Sequence, residues 1–488
     1  MASSNDEKTF IFVPGDPDEI EGLYRKCNRL ALEGYTIRIG ILESPFRPGH
    51  RLGIVPGPTE ESESAGFISL DGRSVPVLEG TEDIVGEIEK AERSARVNVL
   101  ITVRRLNRIH EISRSDLVAV VDSGVGVVDL LGGIERAGLL FPYEPLLVCG
   151  DETIGELVMD GRIPVTESRF GRLRECLLSI DLITAAGESI HTGSRSVKDV
   201  GGYEIAGFVT GSGGVCGTIT RLTLRLLPGP ARRAYFAAAG PVDPLRRLAK
   251  DLHRVQRPAF LLLFEGRAAG MLGERIDSRR LALESLPPME GAGYALLIVE
   301  LQASSDGAGG RLETIMSKLA GDGISIAGLD PGIMGELHHL PAIALEALDT
   351  GSGIVHISFD ADGFPPVPEG SLVIRSLYPE RIHYWIPCMT PERTAGEITS
   401  LLLADSGTLR DAIPGFDDIY GSIRDRGLRE RVEHVVYYNG EPVRRRVHQN
   451  DLARVSEEAG EAKDRAASLD ALTSRVLVVF DPNRLMLP

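Results

Sequence analysis

Residues 193–230, GSRSVKDVGGYEIAGFVTGSGGVCGTITRLTLRLLPGP, constrain the fold more than any other part of the chain. Gly201-Gly202-Tyr203 stand ahead of a second glycine cluster, Gly211-Ser212-Gly213-Gly214. Cys216-Gly217-Thr218-Ile219-Thr220 then leads into an alternating strand, Leu222 to Leu227, closed by Pro228. Dense glycine beside a β-branched strand marks a backbone that something approaches closely. With 488 residues in all, the chain exceeds one compact core, so two or three domains are expected.

The formal net charge of −17 argues against a nucleic-acid partner or an anionic membrane surface. No apolar run reaches the roughly 18–20 residues of a spanning helix. The polar start, MASSNDEKTF, lacks the basic and apolar regions of a signal peptide. The five cysteines (27, 149, 176, 216 and 388) form no CxxC pair. That speaks against a zinc or iron–sulfur site and suits a reducing cytoplasm. The expected location is therefore cytoplasmic.

Periodicity organises the first half. Residues 10–14 read as a strand, and Pro14 to Glu33 as a helix with Asp16 or Asp18 near its cap. Tyr35 to Ile39, Val97 to Val103 and Leu117 to Val121 read as strands. A helix over about 128–137 stops at Gly138, and 172–192 reads as a hairpin turning at Ala186-Gly187-Glu188. Residues 45–96 are rich in Pro, Gly, Glu and Ser and read as an exposed insertion. Beyond Pro228, strand-like runs alternate with helix-like ones, as in a separate α+β domain. The expected division is a first domain over 1–228, a second over 229–440, and a C-terminal segment over 441–488.

An ordered set of motifs carries a family resemblance. Val13-Pro14-Gly15-Asp16, Arg105-Leu106-Asn107-Arg108-Ile109, Asp122-Ser123-Gly124-Val125, Leu140-Phe141-Pro142, Thr153-Ile154-Gly155, Arg169-Phe170-Gly171, the glycine stretch and Phe480-Asp481-Pro482 occur in order. Together they resemble the glycolate oxidase FAD subunit and D-lactate dehydrogenase group of the vanillyl-alcohol oxidase (PCMH-type) superfamily. The resemblance implies an α+β fold: a bipartite PCMH-type FAD-binding domain with an α+β cap. It implies FAD as cofactor and hydride transfer from a small 2-hydroxy acid, of glycolate or D-lactate type, to the flavin. It also implies an electron acceptor, either a protein or a quinone. The contacts with FAD would come from Arg38, Gly40, Ser123, Gly124, Val125, Thr153, Ile154, Gly155, Gly211, Ser212, Gly217 and Ile219.

Several positions depart from the family wording. Where R-G-G-G-T-S is usual, the chain has Arg38-Ile39-Gly40-Ile41-Leu42-Glu43. Isoleucine resists the positive φ of a phosphate-cradling loop. Ile39 and Ile41 therefore read equally as core strand positions. Gly155-Glu156-Leu157 stands where the family has a second Gly and then Asn near the isoalloxazine ring, so Glu156 either lies by the ring or faces solvent after a local shift. Asp349-Thr350-Gly351-Ser352-Gly353-Ile354-Val355-His356 keeps the spacing of a cap motif that can hold a divalent metal, making Asp349 and His356 the metal candidates. The family's Glu-His-Gly base is Glu458-Ala459-Gly460 here, so His448 becomes the candidate general base. These losses leave a second alternative: a degenerate, non-catalytic subunit beside an active paralogue.

Overall fold

The computed structural model describes residues 7–41, 55–56, 66–70, 73–144, 152–161, 164–196, 204–282, 286, 294–303, 314–318, 323–338, 354–360, 372–377, 381–387, 433–438, 441–446 and 478–486. Three main sheets organise them. The first contains β1 (Glu7–Phe12), β2 (Thr36–Ile41), β3 (Val55–Pro56), β4 (Gly66–Leu70), β5 (Arg73–Leu78) and β6 (Arg96–Ile101), in the order β2-β6-β1-β5-β4-β3. Its first four strands run parallel, and the β5–β4–β3 edge is antiparallel. Helices α1 (Pro17–Leu32) and α2 (Thr81–Glu89) cover it. Asp16 caps α1 by accepting from the Glu19 amide at 3.0 Å. The helical spacing of Ile20, Leu23, Cys27 and Leu30 then places all four in the core.

The described part of the supposed insertion, 45–96, corrects that expectation. Val75 and Val77 are buried in β5, which pairs in parallel with β1, and α2 buries Ile84, Val85 and Ile88. Residues 73–89 supply wall and core rather than an exposed excursion. The segment's turn-forming composition hid a short alternating strand and an amphipathic helix of nine residues.

The second sheet contains β7 (Ile109–Ser113), β8 (Val118–Asp122), β10 (Leu177–Thr184), β11 (Ser189–Gly193) and β12 (Gly217–Arg225), in the order β11-β10-β12-β8-β7, all antiparallel. Strand β9 (Leu139–Leu140) pairs separately with β13 (Leu227–Pro228). Helices α3 (Val127–Arg136), α4 (Ile154–Asp160), α5 (Glu167–Phe170) and α6 (Ile205–Val209) belong to this half. Helix α3 ends where expected, with Gly138 at φ 69° just beyond it.

The third sheet is antiparallel and large. It contains β14 (Arg232–Pro241), β15 (Phe260–Glu265), β16 (Tyr294–Ala303), β17 (Ser325–Leu329), β18 (Ile354–Asp360), β19 (Leu372–Ser376), β20 (Arg381–Pro387), β21 (Glu433–Tyr438) and β22 (Glu441–Arg446). Helix α7 (Val242–Gln256) packs Leu245, Leu248, Ala249 and Leu252 on one face. Helix α8 (Arg267–Ser278) covers the other. With both faces covered, β16 reads YALLIVELQA, almost continuously apolar.

The two smaller sheets meet at a seam that the C-terminal segment fills. Ile183 and Ala185, at the end of β10, belong to the core of the first sheet, and so do Leu485 and Met486. Phe480 belongs to the core of the second and stacks on Phe208. Across the seam, the buried Tyr24 hydroxyl lies 2.8 Å from Thr218 Oγ1 and donates to Met486 Sδ at 3.5 Å. Burial pushes this phenol well above its ordinary range. Tyr24→Phe would leave the buried Thr218 hydroxyl without this partner. The expected loss of stability is about 1–3 kcal/mol, read from urea unfolding. An unchanged midpoint would show that the hydroxyl pair does not hold the halves together.

Candidate functional site

The small-residue turns singled out in the sequence converge at the seam. Ser123-Gly124-Val125 follows β8, and Thr153-Ile154-Gly155 opens α4. They are tied together by Ile154 N donating to Val125 O (2.9 Å) and Gly155 N to Ser123 O (2.7 Å). Gly211 and Gly213 donate to the last carbonyls of α4, Val158 O at 2.9 Å and Met159 O at 3.0 Å. A Cβ on Gly214 would lie 2.9 Å from Ile41 Cγ1 and 3.6 Å from Met159 Sδ. The end of β2 therefore reaches the same place. Gly40 is buried there, whereas Arg38 is exposed on the strand.

Packing within the chain explains the glycines. A Cβ on Gly124 would sit 2.0 Å from Val103 O, one on Gly155 2.7 Å from Ser123 Cβ, and one on Gly217 2.1 Å from Ile183 O. The amides are occupied as well. Ser123 N donates to Thr220 O, Gly124 N to Leu106 O, Val125 N to Asp122 O, Ser212 N to Val209 O and Gly217 N to Gly214 O. A phosphate group would have to break these bonds to use the N–H groups. The turns therefore offer shape and side-chain hydroxyls rather than an amide cradle.

Ile39 and Ile41 are strand residues. Ile39 is fully buried, donates its amide to Leu485 O at 2.5 Å and bridges to Met486. Ile41 packs against the cores of both halves. Glu156 neither faces solvent nor reaches outward. Only 2% exposed, it turns back so that Oε2 accepts from Thr153 N at 3.0 Å, while Thr153 Oγ1 accepts from Glu156 N at 3.3 Å. This is a capping box, and Thr-x-x-Glu was its signal in the sequence.

One side chain at the seam has an unmet bond. The Ser123 hydroxyl is wholly buried and has no hydrogen-bond partner among the described residues. A buried hydroxyl is costly when unpaired, so a polar ligand atom at this position would satisfy it. That orphan, beside Gly124 and Gly155, fits a flavin nucleotide held between the two halves.

His448 and Asp349 lie outside the described residues. His356 is placed only as a backbone position in β18, opposite Trp385 and Val435. Among the described residues, no group of three or more His, Cys, Asp or Glu side chains is placed to hold a metal. The thiols of Cys27, Cys176 and Cys216 are free and buried, with burial pushing them up to about 12, 11 and 11. They are therefore protonated and poor nucleophiles. No helix among the described residues is long and apolar enough to cross a membrane.

A second polar cluster lies where the large sheet meets the second half. Sequence reasoning missed it, although a glutamate inside the run LLIVELQ was a visible signal. Glu300 is 2% exposed. Gln302 Nε2 donates to its Oε1 at 2.7 Å, and Arg233 Nε lies 3.9 Å away. Burial raises its carboxyl above the usual range, and the charge of Glu144 adds to that. Gln302, Arg233 and Arg169 act in the opposite direction.

Comparison with known proteins agrees with this geometry. Residues 86–193 match the FAD binding domain family. The glycolate oxidase subunit GlcD of Bacillus subtilis is 26% identical over 155 residues, 32% of this chain and 33% of that protein. The D-lactate dehydrogenase of Archaeoglobus fulgidus is 25% identical over 238 residues, 48% of this chain and 47% of its own. The glycolate oxidase subunit GlcE of Escherichia coli is 29% identical over 116 residues, 24% of this chain and 33% of that one. The matched regions thus span a third to about half of these relatives. The solved structure of an alkyldihydroxyacetonephosphate synthase superposes with a TM-score of 0.50 at 14% identity, over 77% of this chain and 66% of that one. The chain is a divergent relative of these proteins. Its fold is α+β with a PCMH-type FAD-binding domain, and its cofactor is FAD.

Proposed function

We propose that the chain is an FAD-dependent oxidoreductase that oxidises a small 2-hydroxy acid of the glycolate or D-lactate type. The observation that carries this reading is the convergence of Ser123-Gly124-Val125, Thr153-Ile154-Gly155 and the Gly211–Gly217 turns on one seam, with the buried Ser123 hydroxyl, which has no partner among the described residues, among them. The relatives' names supply the substrate class. The residues holding FAD would be Ser123, Gly124, Val125, Thr153, Ile154, Gly155, Gly211, Ser212, Gly217 and Ile219, with Arg38 and Gly40 at the end of β2. When bound, FAD supplies a two-electron acceptor beside the carbinol carbon. The protein's part is to hold the acid in place, exclude water and take the hydroxyl proton. His448 is the sequence candidate for that proton. A protein or quinone would then remove the electrons.

Purified protein is expected to be yellow, or to become so on reconstitution, and to bleach without air on adding glycolate or D-lactate. A flavin spectrum that no 2-hydroxy acid changes would refute the substrate class. The occupied amides and the inward-turned Glu156 favour a second reading, a non-catalytic subunit beside an active paralogue. Colourless protein that cannot take up FAD would support it.

A further inference from the structure

Glu300 has no structural reason to be an acid. Its strand is apolar, and its ladder partners are Tyr235 on β14 and Phe260 on β15. Among the described residues, its one hydrogen-bond partner is the neutral amide of Gln302, at 2.7 Å. The 3.9 Å to Arg233 Nε is too long for a hydrogen bond and leaves the burial cost largely uncompensated. Buried acids kept at such a cost are candidates for chemistry.

The surroundings supply what oxidation of a 2-hydroxy acid requires. Val165, from the second half, packs in the same cluster as Tyr235, Phe260 and Ile298, so this sheet face turns towards the FAD-binding part. The charged and titratable groups acting on Glu300 are Arg233 on β14, Glu144 after β9 and Arg169 on α5, and Tyr235 lies opposite it in the ladder. The side chain of Arg233 is 30% exposed, so it spans from solvent to the buried carboxylate. A 2-hydroxy acid needs a cation for its carboxylate and a base for its hydroxyl, a few ångströms apart. Arg233 and Glu300 are such a pair.

Resting on the function proposed above, we infer that Glu300 is the catalytic base and Arg233 the anchor for the substrate carboxylate. The hydroxyl O–H bond breaks, and its proton passes to a Glu300 carboxylate oxygen. The C2–H bond would break with its electron pair leaving as hydride, for which FAD, when bound, would be the two-electron acceptor. The C2–O bond becomes the carbonyl of a 2-oxo acid. A base must be ionised to act, so the rate rises with pH through the raised ionisation of Glu300.

The test uses the full chain loaded with FAD and mixed anaerobically with glycolate or D-lactate. Glu300→Gln, of the same shape, should slow flavin reduction by about 10²–10⁴-fold and abolish its rise with pH, leaving flavin content unchanged. Glu300→Asp should recover part of the rate, and Arg233→Met should raise the substrate concentration required. A readout independent of turnover is stability. Because the folded-state ionisation is raised, Glu300 destabilises the fold increasingly as pH climbs above the unfolded value of about 4.3, until the folded value is passed. The melting temperature of Glu300→Gln should therefore exceed that of wild type by a margin that grows over that interval. A margin that stays flat with pH overturns the proposal. So does reduction of Glu300→Gln at the wild-type rate while His448→Ala abolishes it, a result that leaves the function reading intact. Wild-type flavin inert to every 2-hydroxy acid defeats both.

Discussion

Gly217→Val is expected to destabilise the FAD-binding part by several kcal/mol, on the order of 2–6, and to lose flavin only as a consequence. Gly217 opens β12 at φ 126°, a region closed to a β-branched residue. A Cβ there would lie 2.1 Å from Ile183 O and 2.8 Å from Thr184 Cα, both backbone atoms of β10. Neither can retreat without breaking the Ile183–Thr218 and Thr184–Gly217 pairing that begins the β10–β12 ladder. Substitution therefore strains the residue and separates two central strands. Urea unfolding of the apoprotein decides the matter. If the apoprotein keeps its wild-type midpoint while FAD is no longer retained, the glycine serves the cofactor and the packing account is wrong.

Asp481→Ala should release the C-terminal segment. The Asp481 carboxylate accepts from the buried amides of Leu485 at 2.7 Å and Met486 at 2.9 Å. Those bonds form the turn that sends Leu485 and Met486 into the first core while Phe480 stays in the second. Each amide left buried without an acceptor costs about 1–3 kcal/mol. Both effects fall on the seam, where Ile39 N and Ala186 N also depend on the segment. Lower stability and weaker flavin retention should therefore appear together. Asp481→Asn keeps one acceptor oxygen and should lose less. An alanine variant as stable as wild type, with full flavin content, would show that the segment is not needed to close the seam.

Local chemistry made much of this architecture readable from sequence. Asp16 before an amphipathic run gave α1, Gly138 gave the end of α3, and Ala186-Gly187-Glu188 gave the turn between β10 and β11. Each depends on residues within a few positions of one another, which is the range that capping, turn chemistry and periodicity describe. The ordered motifs likewise pointed to the FAD binding domain that residues 86–193 match. The capping box of Thr153 and Glu156 is equally local, its Thr-x-x-Glu pattern lying within the motif that resembles a cofactor turn.

What only the tertiary structure decided involves residues far apart in the chain. The segment over 73–89 looked like loop by composition, and pairing of β5 with β1 made it core. Gly124, Gly155 and Gly217 looked like space for a ligand, and carbonyls and side chains from other strands fill that space. Ile39 read equally as a lost phosphate loop and as a core strand position, and contact with Leu485 and Met486 makes it a strand residue of the seam. Glu300 stood as a single acid in an apolar strand, and its meaning came from Gln302 beside it, Arg233 from another strand, and Glu144 and Arg169 from the neighbouring half. Sequence specifies which side chains are available and the local backbone they prefer. Burial and electrostatics are sums over neighbours in space, so they are fixed only when the chain has folded.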